Sequence, residues 1–313
     1  MGEGVTSDPE GLRRHFPVMS QEVLSWLIGS DRRIYVDCTV GYSGHAQQIL
    51  RTSVDSILIG IDRDAQAIAA SRIQLAEFGD RIILRRGHFM DLKRHVQDSG
   101  FSHVDGILFD LGVSSPQFDE PTRGFSFQWD GPLDMRMDQS SGPTAADFVN
   151  RRSEAELADL FFLYGEERFA RRIARAIVQA RGVRPLTTTQ ELVSVIATAV
   201  PAHYRHGRIH YATRTFQALR IAVNQELDSL ESSLRDAVDV LAPGGRLCVI
   251  SFHSLEDRIV KQTFRALSSG VDAPLTVLTK KPQRPQEGEI QDHPRSRSAK
   301  LRAAQRREME GIS

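Results

Sequence analysis

The sequence of 313 residues holds only two cysteines, Cys38 and Cys248, each within or beside an apolar strand-like run. Two thiols are too few for a disulfide framework or a cysteine-based metal site. Both read as small core residues of a reducing compartment. No apolar run approaches the length of a membrane span. Residues 1–11 are polar and acidic, without the positive and apolar regions of a secretory signal. Cytoplasmic residence is therefore expected, with no membrane partner. Neither Gly-x-Gly-x-x-Gly nor Gly-Lys-Ser/Thr occurs, which removes the pyrophosphate turn of nicotinamide dehydrogenases and the P-loop. Net charge is missing as well, since 40 Lys+Arg balance 40 Asp+Glu. Locally the balance fails. Between Glu191 and Glu226 there is no carboxylate, while Arg205, Arg208, Arg214 and Arg220 fall there with His203, His206 and His210. The tail from Lys280 is also basic. Such patches suit a phosphate-contacting face, although a solvated basic surface is the commoner reading.

What is present is organised around residues 34–45, Ile-Tyr-Val-Asp-Cys-Thr-Val-Gly-Tyr-Ser-Gly-His. A short apolar run reaches Asp37 and breaks into a turn carrying Gly41 and Gly44. An amphipathic stretch, 46–50, follows at once. A buried strand, a tight loop and a helix N-terminus make the usual nucleotide-like ligand site of an α/β sheet. An ordinary strand–helix turn would read the same way.

Strand and helix patterns then alternate. Strands are expected over 56–61, 81–84 and 104–109, and helices over 21–28 and 65–78, the latter capped by Asp64. The alternation predicts a parallel sheet with right-handed crossovers. From 118 to 142 the chain turns rich in Gly, Pro, Asp and aromatics, a loop long enough to suspect function. Helices are expected over 153–163, with Ser153 and Glu156 as a capping box, and over 166–180 and 189–200. One long helix, 213–241, should return to the sheet, followed by a fifth strand over 246–252. Runs 275–279 and 298–303 read as an antiparallel edge pair. The expected fold is α/β with a mostly parallel sheet and a helical insertion: core residues 15–118, insertion 119–208, core 209–313. Residues 1–14 read as disordered.

Asp37, Asp62, Phe89, Asp110 and the 251–257 segment all fall at carboxyl ends of strands, where open sheets bind ligands. Asp62 suits hydrogen bonds from both hydroxyls of a ribose. Phe89 suits an adenine face, or a place in the core. The 41–44 loop has too few glycines for a pyrophosphate, so an adenosine ligand without phosphates fits, and S-adenosylmethionine is the commonest such cofactor.

Several longer motifs stand in order: Asp37-x-Thr-x-Gly41-x-x-Gly44-His45, Asp110-Leu-Gly-Val-Ser-Ser-Pro-Gln117, Arg123-Gly-Phe-Ser-Phe, Gly131-Pro-Leu-Asp-Met-Arg-Met-Asp138 and Ser251-Phe-His-Ser-Leu-Glu-Asp-Arg258. They are joined by Tyr164-Gly-Glu-Glu-Arg-Phe-Ala, Ala212-Thr-Arg-Thr-Phe-Gln-Ala and Arg295-Ser-Arg-Ser-Ala-Lys-Leu-Arg. Together they resemble the bacterial 16S ribosomal RNA cytosine-N4 methyltransferase family (the MraW/RsmH type), over about 15–302.

The resemblance implies a class I (Rossmann-like) methyltransferase fold. It further implies S-adenosylmethionine as donor and methylation of N4 of a decoding-region cytidine, with 16S ribosomal RNA in the small subunit as partner. Carried over by motif, Ser43, Gly44, His45, Asp62, Phe89, Asp110 and Gln117 would contact the cofactor. Many members have glycine where this chain has Ser43. Asp110, with His253 across the cleft, is the expected catalytic pair, His253 otherwise being a hydrogen-bonded structural residue. No metal is required, because the donor's methyl is already activated. Phe125, Phe127, Trp129 and Arg136 are expected either to cradle an unstacked base or to form a minor core. The insertion and the basic run at 205–220 would grip RNA. A methyltransferase acting on DNA or protein, an inert assembly factor and a homodimer stay open.

Overall fold

The computed structural model describes residues 17–29 and 33–308; the stretch expected to be disordered lies outside them. The strands are β1 (Ile34–Asp37), β2 (Ile57–Asp62), β3 (Ile82–Arg86), β4 (Val104–Asp110), β5 (Leu241–Ser251), β6 (Leu275–Val277) and β7 (Lys300–Arg306). They form one sheet in the order β3-β2-β1-β4-β5-β7-β6. β1 to β5 run parallel, and β7 lies antiparallel between β5 and β6. This is the mostly parallel α/β sheet expected, with the 275–279 and 298–303 runs paired as foreseen. Chain order reverses at β1, whose neighbours are β2 and β4, and a ligand crevice opens at such a switch point.

The central strands are apolar on both sides because both faces are covered. Tyr35, Leu58, Leu108 and Ile250 pack under the helices Ser20–Leu27, Gly44–Thr52 and Ala65–Gln74. Val36, Ile59, Ile107 and Val249 pack on the opposite face under Leu92–Asp98, Leu230–Val240 and Ser254–Leu267. Cys38 and Cys248 form no disulfide; both are buried, on opposite faces. Both serve as core residues, as read from the sequence.

A separate apolar cluster builds the helical region. It gathers Leu157, Phe161, Ile173, Ile177, Leu192 and Ile196 from the helices Glu154–Gly165, Ala170–Val183 and Thr189–Ala199. Phe216 and Leu219 of the helix Thr213–Asn224 join the same cluster. The Ser153–Glu156 capping box forms as expected.

Several elements differ from expectation; the helix expected over 65–78 ends at Gln74, and a 3-10 segment, Ala76–Arg81, follows. The 213–241 helix is two helices, because Gln225 adopts a left-handed conformation (φ 53°) and ends the first at Asn224. Asn224 explains the break: its side chain accepts from Met137 N and donates to Met135 O, tying the helix end to the irregular loop. The helix expected to begin at 166 begins at Ala170, since Glu166 caps the preceding helix at φ 48°. β5 begins at Leu241, and the Pro-Gly-Gly turn is absorbed as a register shift against β4.

Candidate functional site

The carboxyl ends of β1, β2, β4 and β5 surround a cavity of about 470 Å³, within the roughly 300–1,000 Å³ of small-molecule sites. Its floor is the loop after β1, pinned by backbone donors. Gly41 N donates to Asp62 Oδ2 (2.9 Å), Val40 N to Ile61 O (2.9 Å) and Asp110 N to Thr39 Oγ1 (2.8 Å). Gly41 sits at φ 49°, where a side chain would be strained. The loop is therefore preset by β2 and β4 instead of waiting for a ligand to order it.

Asp37, Asp62 and Asp110 stand at three strand ends around this floor. Burial pushes Asp37 up to about 7, partly offset by His45 and raised further by Asp110 and Asp62. Burial likewise lifts Asp62 to about 6, against the pull of its bonds from Asp64 N and Gly41 N. His45 Nε2 lies 3.6 Å from Asp110 Oδ2. Both His45 Nε2 and Asp110 Oδ1 are buried without a hydrogen-bond partner among the described residues. Orphaned buried polar atoms are costly, so this wall suits a ligand with polar groups. An acidic, glycine-floored cavity suits a cationic amino-acid head better than a phosphate chain.

Across the cavity, His253 caps the helix Ser254–Leu267, its Nδ1 accepting from Glu256 N at 3.4 Å. A ring whose Nδ1 accepts carries its neutral-state proton on Nε2. Nε2 is 3.1 Å from Glu256 Oε1 but misaligned for a hydrogen bond. Behind it, Arg220 embraces Glu226 through two bonds of 2.9 and 2.8 Å and lies 3.9 Å from Glu256. Glu226, His253 and Glu256 bring possible metal-ligand atoms within 4.8 Å of one another, but the Arg220 guanidinium already supplies positive charge there.

A family model described as the MraW methylase family matches residues 13–307. The chain belongs to the MraW methylase family. A ribosomal RNA small subunit methyltransferase H from Syntrophotalea carbinolica is 51% identical over 307 residues, covering 94% of this chain and 98% of the relative. One of the same name from Gloeothece citriformis is 53% identical over 295 residues, covering 94% of each chain.

In this MraW-family chain, Gly44, His45, Asp62, Phe89, Asp110, Gln117 and His253 all line the one cavity. Ser43 does not: it is fully buried at φ 66°, its hydroxyl donating to Ser71 Oγ at 2.6 Å. Gln117 reaches the cavity with its amide already engaged, donating to Asp64 (2.7 Å) and accepting from Ser114 N (3.0 Å). Phe89 is a wall residue packed edge-on to Phe109.

The expected base cradle is not at the cavity. Phe125 is buried in the helical cluster, and Phe127 packs against it while stacking on His210. Arg136 is paired with Asp134, and Trp129, 62% exposed, is not among the cavity-lining residues. The minor-core alternative holds for the two phenylalanines. The basic run divides as well. Arg205 and Arg208 are exposed, whereas Arg220 is spent on Glu226 and Arg214 donates to the Glu166 carbonyl.

Sequence reasoning missed the buried Arg123–Asp64 pair, the Arg220–Glu226–Glu256 network, and Phe118 with Arg295 at the cavity wall. The available signal was Arg123 and Arg295 each opening a motif; their partners lie too far along the chain for any spacing to reveal.

Proposed function

We propose that the chain is an S-adenosylmethionine-dependent methyltransferase that places a methyl group on N4 of a decoding-region cytidine in 16S ribosomal RNA, within the small ribosomal subunit. The observation that carries this reading is the Asp37–Asp62–Asp110 cavity on a phosphate-free glycine loop at the switch point, in a chain of the MraW methylase family.

Asp62 would hold the ribose hydroxyls, Phe89 the adenine, and the 41–45 loop with Asp37 the amino-acid end of the cofactor. Gly44 and His45 belong to that grip, while Ser43 acts from behind it through Ser71. The bound cofactor supplies a methyl group already activated on a sulfonium. The remaining difficulty is the acceptor, because the N4 lone pair is delocalised into the ring. Asp110 has a buried oxygen without a partner among the described residues, suited to accept from the exocyclic amine and favour a pyramidal nitrogen. Holding the amine in line lowers the barrier by several kcal/mol, on the order of the 7–11 kcal/mol assigned to strong proximity effects. His253, with Nδ1 committed to the helix cap, is assigned a positioning role.

The helical region, 119–208 with the helix Thr213–Asn224 packed on it, is assigned to RNA. Its exposed Arg171, Arg172, Arg205 and Arg208 suit phosphate contacts. Nucleoside mass spectrometry of ribosomal RNA with and without the gene tests the reading: N4-methylated cytidine should vanish without it. An unchanged level sinks the proposal. Comparing methyl transfer to small subunits, duplex DNA and protein separates the other acceptors.

A further inference from the structure

An unstacked base needs a planar surface to replace its lost stacking, and the aromatic loop residues do not line the cavity. The structure offers a different plane. The Arg295 guanidinium lies over the Phe118 ring, 4.6 Å from its centroid, and both residues line the cavity. Phe118 belongs to the short helix Ser115–Asp119 that follows β4. Arg295 comes from the segment that leads into β7, whose first residue, Lys300, pairs with Ser251 at the end of β5. The pair thus bridges the two strand ends that carry Asp110 and His253.

Asp119 fixes the orientation of that plane. It accepts from Arg295 Nη1 at 3.1 Å and from Nη2 at 2.5 Å, across 176 residues of sequence. A guanidinium built to grip phosphate keeps its charge available; this one has a carboxylate on its outer edge and an aromatic ring on one face. The Arg295 side chain is still 48% exposed. What remains to it is a flat, charge-compensated face at the mouth of the cavity, and stacking on a neutral π-system is what such a face does well.

We propose that Arg295, backed by Phe118 and held by Asp119, is the stacking platform for the unstacked nucleobase. This rests on the RNA methyltransferase reading above. Two substitutions separate a plane from a charge. Arg295→Lys keeps the charge and loses the plane; Arg295→Trp keeps a π-plane and loses the charge. The substrate is small ribosomal subunits from cells lacking the gene, and the readouts are KM for subunits, kcat, and cofactor affinity by calorimetry. Arg295→Lys should raise KM for subunits roughly tenfold, the scale of one lost base stack, with cofactor affinity unchanged. Arg295→Trp should stay within about threefold of the wild type. The reverse order identifies a phosphate contact and overturns the platform. Two variants equal to the wild type, or two equally impaired with cofactor affinity intact, overturn it as well. Absence of N4-methylcytidine from the wild-type reaction would instead remove the functional reading and the platform with it.

Discussion

Arg123 is 1% exposed and donates to Asp64 Oδ2 at 2.7 Å. The same oxygen accepts from Gln117 Nε2 at 2.7 Å, while Asp64 Oδ1 caps the helix Ala65–Gln74 through Gln66 N. Arg123 also donates to the carbonyls of Arg136 and Met137 at 3.1 and 2.9 Å. One buried carboxylate therefore ties the irregular loop, the β4 turn and the helix after β2 into one wall of the cavity. Removing either partner leaves a buried charge uncompensated, which costs about 3–5 kcal/mol. Arg123→Ala and Asp64→Ala should each lose that much in urea unfolding. A loss under about 1 kcal/mol would mean the pair behaves like a surface ion pair.

Asp110 and His253 differ in how committed they are. Asp110 has an oxygen to offer, whereas His253 Nδ1 is part of a helix cap. Asp110→Ala should lower kcat by roughly a hundredfold or more, the scale of a removed transition-state hydrogen bond. His253→Ala should keep kcat within about tenfold and cost about 1 kcal/mol of stability, the worth of a cap. Equal losses of kcat in both variants, at saturating cofactor, would return His253 to a direct catalytic role.

The sheet was legible because its strands are apolar runs ending in acids at intervals that allow crossovers. Asp37, Asp62 and Asp110 fall at one end of it by their positions in the sequence alone. The helical region was legible through local signals such as the Ser153–Glu156 box. Residues whose roles depend on distant partners were not legible. Ser43 looks like a contact by position, yet its hydroxyl points to Ser71, 28 residues on. Gln117 looks like a ligand group until Asp64 takes its amide. Phe125 and Phe127 carry the same side chains whether they hold a base or a core, and only their place in the helical cluster, with Phe216 edge-on to Phe127, decides. The break at Gln225 has no Gly or Pro to announce it; it follows from bonds between Asn224 and a loop some 90 residues earlier.

Asp37 and Asp62 titrate near 7 and 6, against an ordinary value of 3.8, chiefly because they are buried. A carboxyl raised in the folded state binds more protons there than when unfolded. The stability it contributes is present in full below the unfolded pKa, near 4, and is lost as pH rises through the folded pKa, about 6 to 7. The cofactor-free protein should therefore lose thermal stability between about pH 4 and 7. A cationic cofactor prefers the ionised carboxylates, so its affinity should tighten over the same range. Asp37→Asn should flatten the upper part of that profile. Calorimetric titrations at several pH values provide the check, and a cofactor affinity independent of pH would contradict it.

The proposed grip on RNA predicts a salt dependence of a particular kind. Arg205 and Arg208 are exposed on the stretch after the helix Thr189–Ala199, and Arg171 and Arg172 are exposed on the helix Ala170–Val183. Arg220, though part of the same basic run, is largely enclosed and neutralised by Glu226. If Arg205 and Arg208 contact phosphates, each contact releases counterions and adds roughly 0.7–0.9 to the slope of log affinity against log salt. The double variant Arg205→Ala, Arg208→Ala should weaken subunit binding at low salt and reduce that slope by about 1.4–1.8. Cofactor affinity should not change, because neither residue lines the cavity. A slope equal to that of the wild type would place the RNA contacts elsewhere. Binding by the wild type that is flat between about 50 and 200 mM salt would count against phosphate contacts altogether.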